Sequence, residues 1–365
     1  MKTNVKNKIL SIVLIVFFLG FSVFSWLKPP TDFSASERRK LAQFPSASVN
    51  SIFSGKFMKD FERYSTEQFP LRDSFRQIKA LVNKYVLLQK DNNDLFIKDG
   101  YIGKIDYPLN EESVSNAAKK FEKVKNKYLN GTDTKLYLSI IPDKNYYLVE
   151  DDYLSIDYDK MLSQIQSETE FLEYIDIKDL LTIESFYKTD THWRQEKIVP
   201  VAKELASKMG VELKGEYTER TLDNDFYGVY HGQAALPIEP EKIKYLTNDI
   251  LENVRVYNYV TEKEMSVYDM EKAFGKDPYE IFLSGPLSLL TIENENATTD
   301  KELVIFRDSF GSSLAPLLAE GYKKITVVDI RYIHPNTLEN YIEFSNQDVL
   351  FIYSTSVLNN SETIK

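Results

Sequence analysis

The chain has 365 residues, a formal net charge of -10, three histidines and no cysteine. Its length exceeds one minimal domain and suits a large α/β domain with appendages. The acidic balance, with no Lys/Arg cluster interleaved with aromatics, excludes a typical nucleic-acid surface. The missing cysteines exclude disulfides, zinc-thiolate sites and a thiol nucleophile.

Residues 9–27 form an uncharged run of Val, Leu, Ile and Phe. At ~1.5 Å per residue it just spans a ~30 Å hydrocarbon core. Lys2, Lys6 and Lys8 precede it, and Trp26 suits the membrane interface. No small-x-small cleavage site follows, which predicts an uncleaved signal anchor over residues 1–28. The amino end is expected to stay inside, with the rest exported, although Arg38, Arg39 and Lys40 lie near the other end. Residues 29–60 carry Pro29-Pro30, serines and mixed charge, the composition of a linker. Phe57, Phe61 and Tyr64, then Phe75, Ile78, Leu81, Val82 and Tyr85, fall at helical spacing. Pro70 divides the run, predicting two helices with a turn at 68–71. Residues 95–105, with Gly100 and Gly103, predict a hairpin. This stalk, helical and hairpin region covers 29–110.

The main domain is expected over 111–365. Residues 113–128 predict an amphipathic helix, 135–141 a strand closed by Pro142, 159–172 a helix and 174–177 a short strand. A helix over 193–209 would end at Gly210, with Pro200 forcing a kink or a start nearer 198. Residues 303–306, 325–330 and 349–353 are short, apolar, β-branched runs with helical stretches between them, the pattern of buried parallel strands with helices on both faces. Residues 211–300 fit that alternation poorly and predict an insertion or lid. The 24 Tyr and 22 Phe indicate a folded chain, most of the rings serving as core.

Two segments carry chemistry. Lys188-Thr189-Asp190-Thr191-His192-Trp193 offers a histidine with a carboxylate two residues before it. Arg307-Asp308-Ser309-Phe310-Gly311 follows an apolar strand and opens a predicted helix over 311–320. Ser309 would then stand at the carboxyl edge of the sheet, where such folds place ligands. Together Ser309, His192 and Asp190 supply the nucleophile, base and orienting acid of acyl transfer. Each half also has a plainer use, Ser309 or Asp308 as a helix cap and His192 as a packed ring beside Trp193. Backbone N–H groups after Ser309, near Phe310 and Gly311, would face an oxyanion. Arg307, Asp308, Tyr227, Gly228 and His231 are further candidates for the substrate vicinity. Arg331 either binds an anionic substrate or pairs with a carboxylate, and His334 is expected at the same sheet edge. Three scattered histidines without metal-ligand spacing predict no metal, and no phosphate-binding glycine loop is present, so no cofactor is expected.

The segments 187–193 and 304–310, with Val327-Val328-Asp329-Ile330-Arg331-Tyr332, resemble the DHHW family. That family is related to the SGNH-hydrolase-like alginate O-acetyltransferases. The likeness extends upstream to 67–73 and 95–101, so it covers most of the chain from about residue 33. It implies an SGNH-hydrolase-like three-layer α/β/α domain with a mostly parallel sheet, permuted so that Asp-His precedes Ser. By the family pattern Asp190 and His192 match the acid and base, and Ser309 the nucleophile. Thr191 stands where the subgroup usually has a first histidine. Arg307 stands where simple SGNH enzymes have glycine, and their oxyanion glycine and asparagine blocks are not identifiable, which leaves the expected oxyanion hole to the Ser309 backbone N–H alone. The resemblance implies acetylation of a cell-surface or secreted polysaccharide by a membrane-anchored, extracytoplasmic domain, with a multipass membrane-bound O-acyltransferase supplying acetyl groups. An acetylesterase with the same triad and a non-catalytic glycan-binding or scaffold protein remain alternatives.

Overall fold

The computed structural model describes residues 2–149 and 152–365. It divides into two compact units, residues up to 93 with His231–Pro237, and Asp94–Tyr230 with Ile238–Lys365.

The smaller unit begins with the helix Lys2–Leu27. Its stretch Val5–Leu27 is long and apolar enough to cross a membrane. Two helices, Lys56–Glu67 and Arg72–Tyr85, follow on either side of the turn expected at Pro70. Leu71 enters the second helix with a left-handed φ of 56°.

The larger unit is built on an eight-stranded sheet. In chain order its strands are β1 (Leu136–Ile141), β2 (Glu173–Tyr174), β3 (Arg255–Asn258) and β4 (Lys263–Met265). Then come β5 (Leu289–Glu293), β6 (Glu302–Arg307), β7 (Lys324–Val328) and β8 (Asp348–Ser354). Their spatial order is β4-β3-β5-β7-β6-β8-β1-β2. The run from β7 to β2 is parallel. Strands β5, β3 and β4 extend it antiparallel from β7, so part of 211–300 belongs to the sheet itself.

Both faces of the sheet are covered, because alternate residues of β6 enter different cores. Leu303 and Ile305 pack with Trp193, Val201 and Leu205. Val304 and Phe306 pack with Val114, Phe121 and Phe351. The second face is covered by the helix Glu111–Val124, capped by Asn110 and burying Val114, Ala117, Ala118 and Phe121. The helix before Gly210 is Val199–Lys208, with Pro200 in its first turn where the missing N–H costs nothing. Residues 193–198 instead carry a β-bridge from Trp193 to Phe186 and a 3₁₀ turn. The helix expected over 311–320 is also shorter. It is one α turn, Gly311–Leu314, passing into the 3₁₀ turn Ala315–Leu318 around Pro316.

Candidate active site

Two segments meet at the carboxyl edge of the parallel strands. The loop between Tyr187 and His192 is pinched at its base, where Tyr187 N–H donates to the His192 carbonyl at 3.1 Å. The other segment is the turn that leaves β6. His192 Nδ1 lies 2.6 Å from Asp190 Oδ1, and His192 Nε2 lies 2.8 Å from Ser309 Oγ. An ionised Asp190 can only accept, so Nδ1 carries the proton and Nε2 is the acceptor facing Ser309 Oγ–H. The imidazole stacks on Tyr279 with centroids 3.9 Å apart, and Phe310 packs on it from another side. Its side chain keeps 13% exposure, so the Ser309–His192 pair stays reachable from solvent.

Asp190 is buried and its oxygens are engaged. Oδ1 also accepts from the His192 N–H, and Oδ2 accepts from the Val229 N–H at 2.8 Å. Gly228 lies directly on the backbone of Thr189, where a Cβ would come within 2.2 Å of its carbonyl oxygen. Its N–H donates to Thr189 Oγ1. This segment therefore clamps the acid through its backbone, while the Tyr227 side chain is exposed.

The loop has a second support that the sequence did not suggest. The buried Lys144 ammonium, just beyond β1, donates to the carbonyls of Tyr187 (3.0 Å), Lys188 (3.2 Å) and Asp190 (2.6 Å). Burial pushes its pKa down to about 7, against the pull of Asp190, Glu241 and Asp143. Glu241 holds the same loop from another side, accepting from the Thr189 N–H and hydroxyl. Nothing in Pro142-Asp143-Lys144 marks the lysine as buried, and Glu241 lies 49 residues beyond His192.

The serine turn is held as tightly. Asp308 accepts from the Phe310 N–H and from the Ser354 N–H. The N–H groups of Gly311 and Ser312 donate back to the carbonyls of Asp308 and Ser309. The N–H groups of Phe310, Gly311 and Ser312 are thus spent inside the turn, contrary to the expectation that they face an oxyanion. Among the described residues the Ser309 N–H has no protein acceptor, so it is the donor left for that role. The one-turn helix adds little dipole to it.

Arg307 is fully buried. It donates to the carbonyls of Asp308, Gly285 and Leu287, and one guanidinium nitrogen lies 3.5 Å from Asp329. It therefore braces the turn from beneath, shielded from solvent. A Cβ on Gly311 would come within 2.6 Å of the Arg307 side chain, so this close packing needs glycine. Arg331 makes a two-pronged pair with Asp329, at 2.9 and 2.7 Å. Trp193 donates its indole N–H to the Phe310 carbonyl and to Ser313 Oγ, tying the two segments together beneath the site. His334 is exposed, and its ring accepts from the Asn336 N–H. His231 belongs to the smaller unit. Among the described residues no cluster of His, Asp and Glu is arranged to hold a metal.

No family model and no curated protein matches the chain. Solved structures do. A DHHW family protein from Eubacterium siraeum DSM 15702 shares the fold with a TM-score of 0.62 at 20% identity, over 75% of this chain and 95% of that one. Bacillus cereus PatB1 gives a TM-score of 0.60 at 16% identity, over 73% and 97% of the two chains. PatB1 solved with a sulfonyl adduct gives 0.57 at 17%, over 72% and 95%. The resemblance read from the motifs thus holds at the level of fold, with a DHHW family protein among the structures most like this one.

Proposed function

We propose that this protein is an O-acyltransferase that acetylates a cell-surface or secreted polysaccharide outside the cytoplasm. The observation that carries the reading is the continuous chain from Asp190 Oδ1 through His192 to Ser309 Oγ, at 2.6 and 2.8 Å. These separations allow proton transfer without rearrangement, and they favour a working site over a degenerate one.

In this reading Ser309 Oγ attacks the acetyl carbonyl of the donor while His192 Nε2 takes its proton. Asp190 holds the resulting imidazolium. The Ser309 N–H stabilises the oxyanion, worth ~3 kcal/mol for a well-placed donor. Collapse breaks the donor's ester bond, and His192 returns the proton to the departing oxygen. A glycan hydroxyl then attacks the acetyl-serine, gives its proton to His192 and leaves as the acetyl ester. Ser309 recovers its proton from His192. The apolar stretch Val5–Leu27 would hold the domain at the membrane. A multipass membrane-bound O-acyltransferase would supply the acetyl group.

The partial exposure of His192 also favours a second reading, an acetylesterase in which water replaces the glycan hydroxyl. Incubation with an acetyl-ester donor, with and without oligosaccharide, separates the two. Transferase activity predicts acetylated oligosaccharide. Acetate release unaffected by the oligosaccharide would contradict it and support the esterase.

A further inference from the structure

The helix Arg72–Tyr85 lies in the smaller unit with its polarity reversed relative to an ordinary surface helix. Its polar side faces the protein. Arg72 pairs with Glu37 at 2.5 Å, Arg76 donates to the carbonyls of Gly232 and Gln233, and Asn83 donates to Asn92. Ala80 on the same side is fully buried. The opposite side carries Phe75, Ile78, Val82 and Tyr85, at i, i+3, i+7 and i+10. These should form the buried stripe of a globular helix, yet Ile78 is 55% and Tyr85 64% exposed. The chain continues from the helix into Val86, Leu87 and Leu88, which are also exposed. An apolar area of this kind marks a contact with something apolar.

Three rings connect this face to the apolar N-terminal helix. Phe21 stacks on Phe69 with centroids 5.5 Å apart and planes 1° from parallel. Phe21 also meets Phe75 at 6.0 Å, and Phe69 meets Phe75 at 5.6 Å. The exposed face is therefore continuous with the stretch that is long and apolar enough to span a bilayer. A cavity of about 830 Å³ opens beside it, with Phe69 and Phe75 as apolar wall, Lys79 at its edge, and Arg72 and Arg76 paired with Glu37 in its polar lining. An exposed apolar stripe edged by a cation such as Lys79 is the pattern of a helix lying in a membrane interface with anionic headgroups.

We infer that the helix Arg72–Tyr85 is a second membrane contact, lying in the interface of the bilayer that the N-terminal helix spans, with its Phe75–Ile78–Val82–Tyr85 face among the lipids. The inference rests on the N-terminal helix crossing the membrane, and its test reads that premise separately. The cysteine-free chain permits single labels without background. The full chain carrying a fluorophore at Ile78→Cys or Val82→Cys would be reconstituted at high lipid-to-protein ratio. The vesicles would be phosphatidylcholine, with and without phosphatidylglycerol, doped with brominated lipid as quencher. A label at Gln77→Cys reports the solvent side of the same helix, and one at Val16→Cys reports the spanning helix. The inference predicts several-fold stronger quenching at 78 and 82 than at 77, strengthened by phosphatidylglycerol, with strong quenching at 16. Equal, weak quenching at 77, 78 and 82 beside a quenched 16 would overturn it while leaving the spanning helix intact. An unquenched 16 would remove its premise. Water-shielding at 78 and 82 that vanishes as protein is diluted into lipid would assign the face to a second copy. Shielding that appears only with an added multipass acyltransferase would assign it to that partner, and either result overturns the lipid contact.

Discussion

The two halves of the candidate site are each braced by a buried cation, and the two cations differ. Beneath the serine turn, Arg307 donates to three carbonyls and has Asp329 beside it as counter-charge. Beneath the histidine loop, Lys144 also donates to three carbonyls, but no carboxylate is its direct partner in those bonds. Burial lowers the affinity of both for protons. An arginine keeps its charge regardless, whereas the lysine falls to about 7 and can lose it. Ser309 thus stands on a permanent brace and His192 on a titratable one. Substitutions in the two halves should therefore have different signatures.

The largest effect is expected at the acid of the histidine loop. Asp190→Asn keeps the shape but offers an amide where His192 Nδ1–H needs an acceptor. About a 10⁴-fold fall in kcat is expected, as for a triad left in the wrong tautomer, with the denaturation midpoint little changed. Steady-state rates beside a urea titration would check both parts. Next comes the serine turn. Arg307→Met removes one donor from each of three carbonyls, of which those of Asp308 and Gly285 keep others, and Asp329 keeps Arg331. A stability loss of about 2–3 kcal/mol is expected, less than the ~3–5 kcal/mol of a broken buried pair because Arg331 still neutralises Asp329, and would be read from urea unfolding. Lys144→Met should be milder in stability, because the cost of burying an ammonium disappears with it. Its loop should still lose register, lowering kcat about 10–100-fold, on the scale of a small misplacement of catalytic groups. Equal stability and rate effects for Arg307→Met and Lys144→Met would erase the contrast between the halves.

A last effect is in pH. Lys144 has a folded pKa of about 7, below the ~10.4 of an exposed lysine. Between these values the unfolded chain holds more protons, so this group makes stability rise with pH across that window. Below about 7 its contribution is flat. Urea midpoints of wild type minus Lys144→Met, where other titrations cancel, should climb from pH 7 to 10. A flat difference would show that Lys144 is not depressed.

Much of the larger unit was legible because apolar runs and punctuating residues leave few choices. The buried strands at 303–306 and 349–353, and Gly210 at a φ of 75°, follow from such signals. The residues that meet in the site were legible because a chain with three histidines and no cysteine offers few nucleophile–base pairs. The braces were not. Lysine and arginine are almost never fully buried, so Lys144 draws no notice in the sequence and Arg307 stands there as a candidate for the substrate vicinity. Only the long-range hydrogen bonds to Tyr187, Gly285 and Leu287 reveal their use. The helix Arg72–Tyr85 shows the converse. Its periodicity located the element correctly, but periodicity cannot say whether an apolar face meets a core or lies open.

The central claim is that Ser309 becomes acylated with His192 as its base. Mass spectrometry of the peptide containing Ser309, after exposure to an acetyl-ester donor or a sulfonyl fluoride, tests it directly. One acetyl or sulfonyl group on Ser309, absent from Ser309→Ala and strongly reduced in His192→Ala, is the expected result. Acetyl transfer at full rate by Ser309→Ala, or modification confined to another residue, would contradict it.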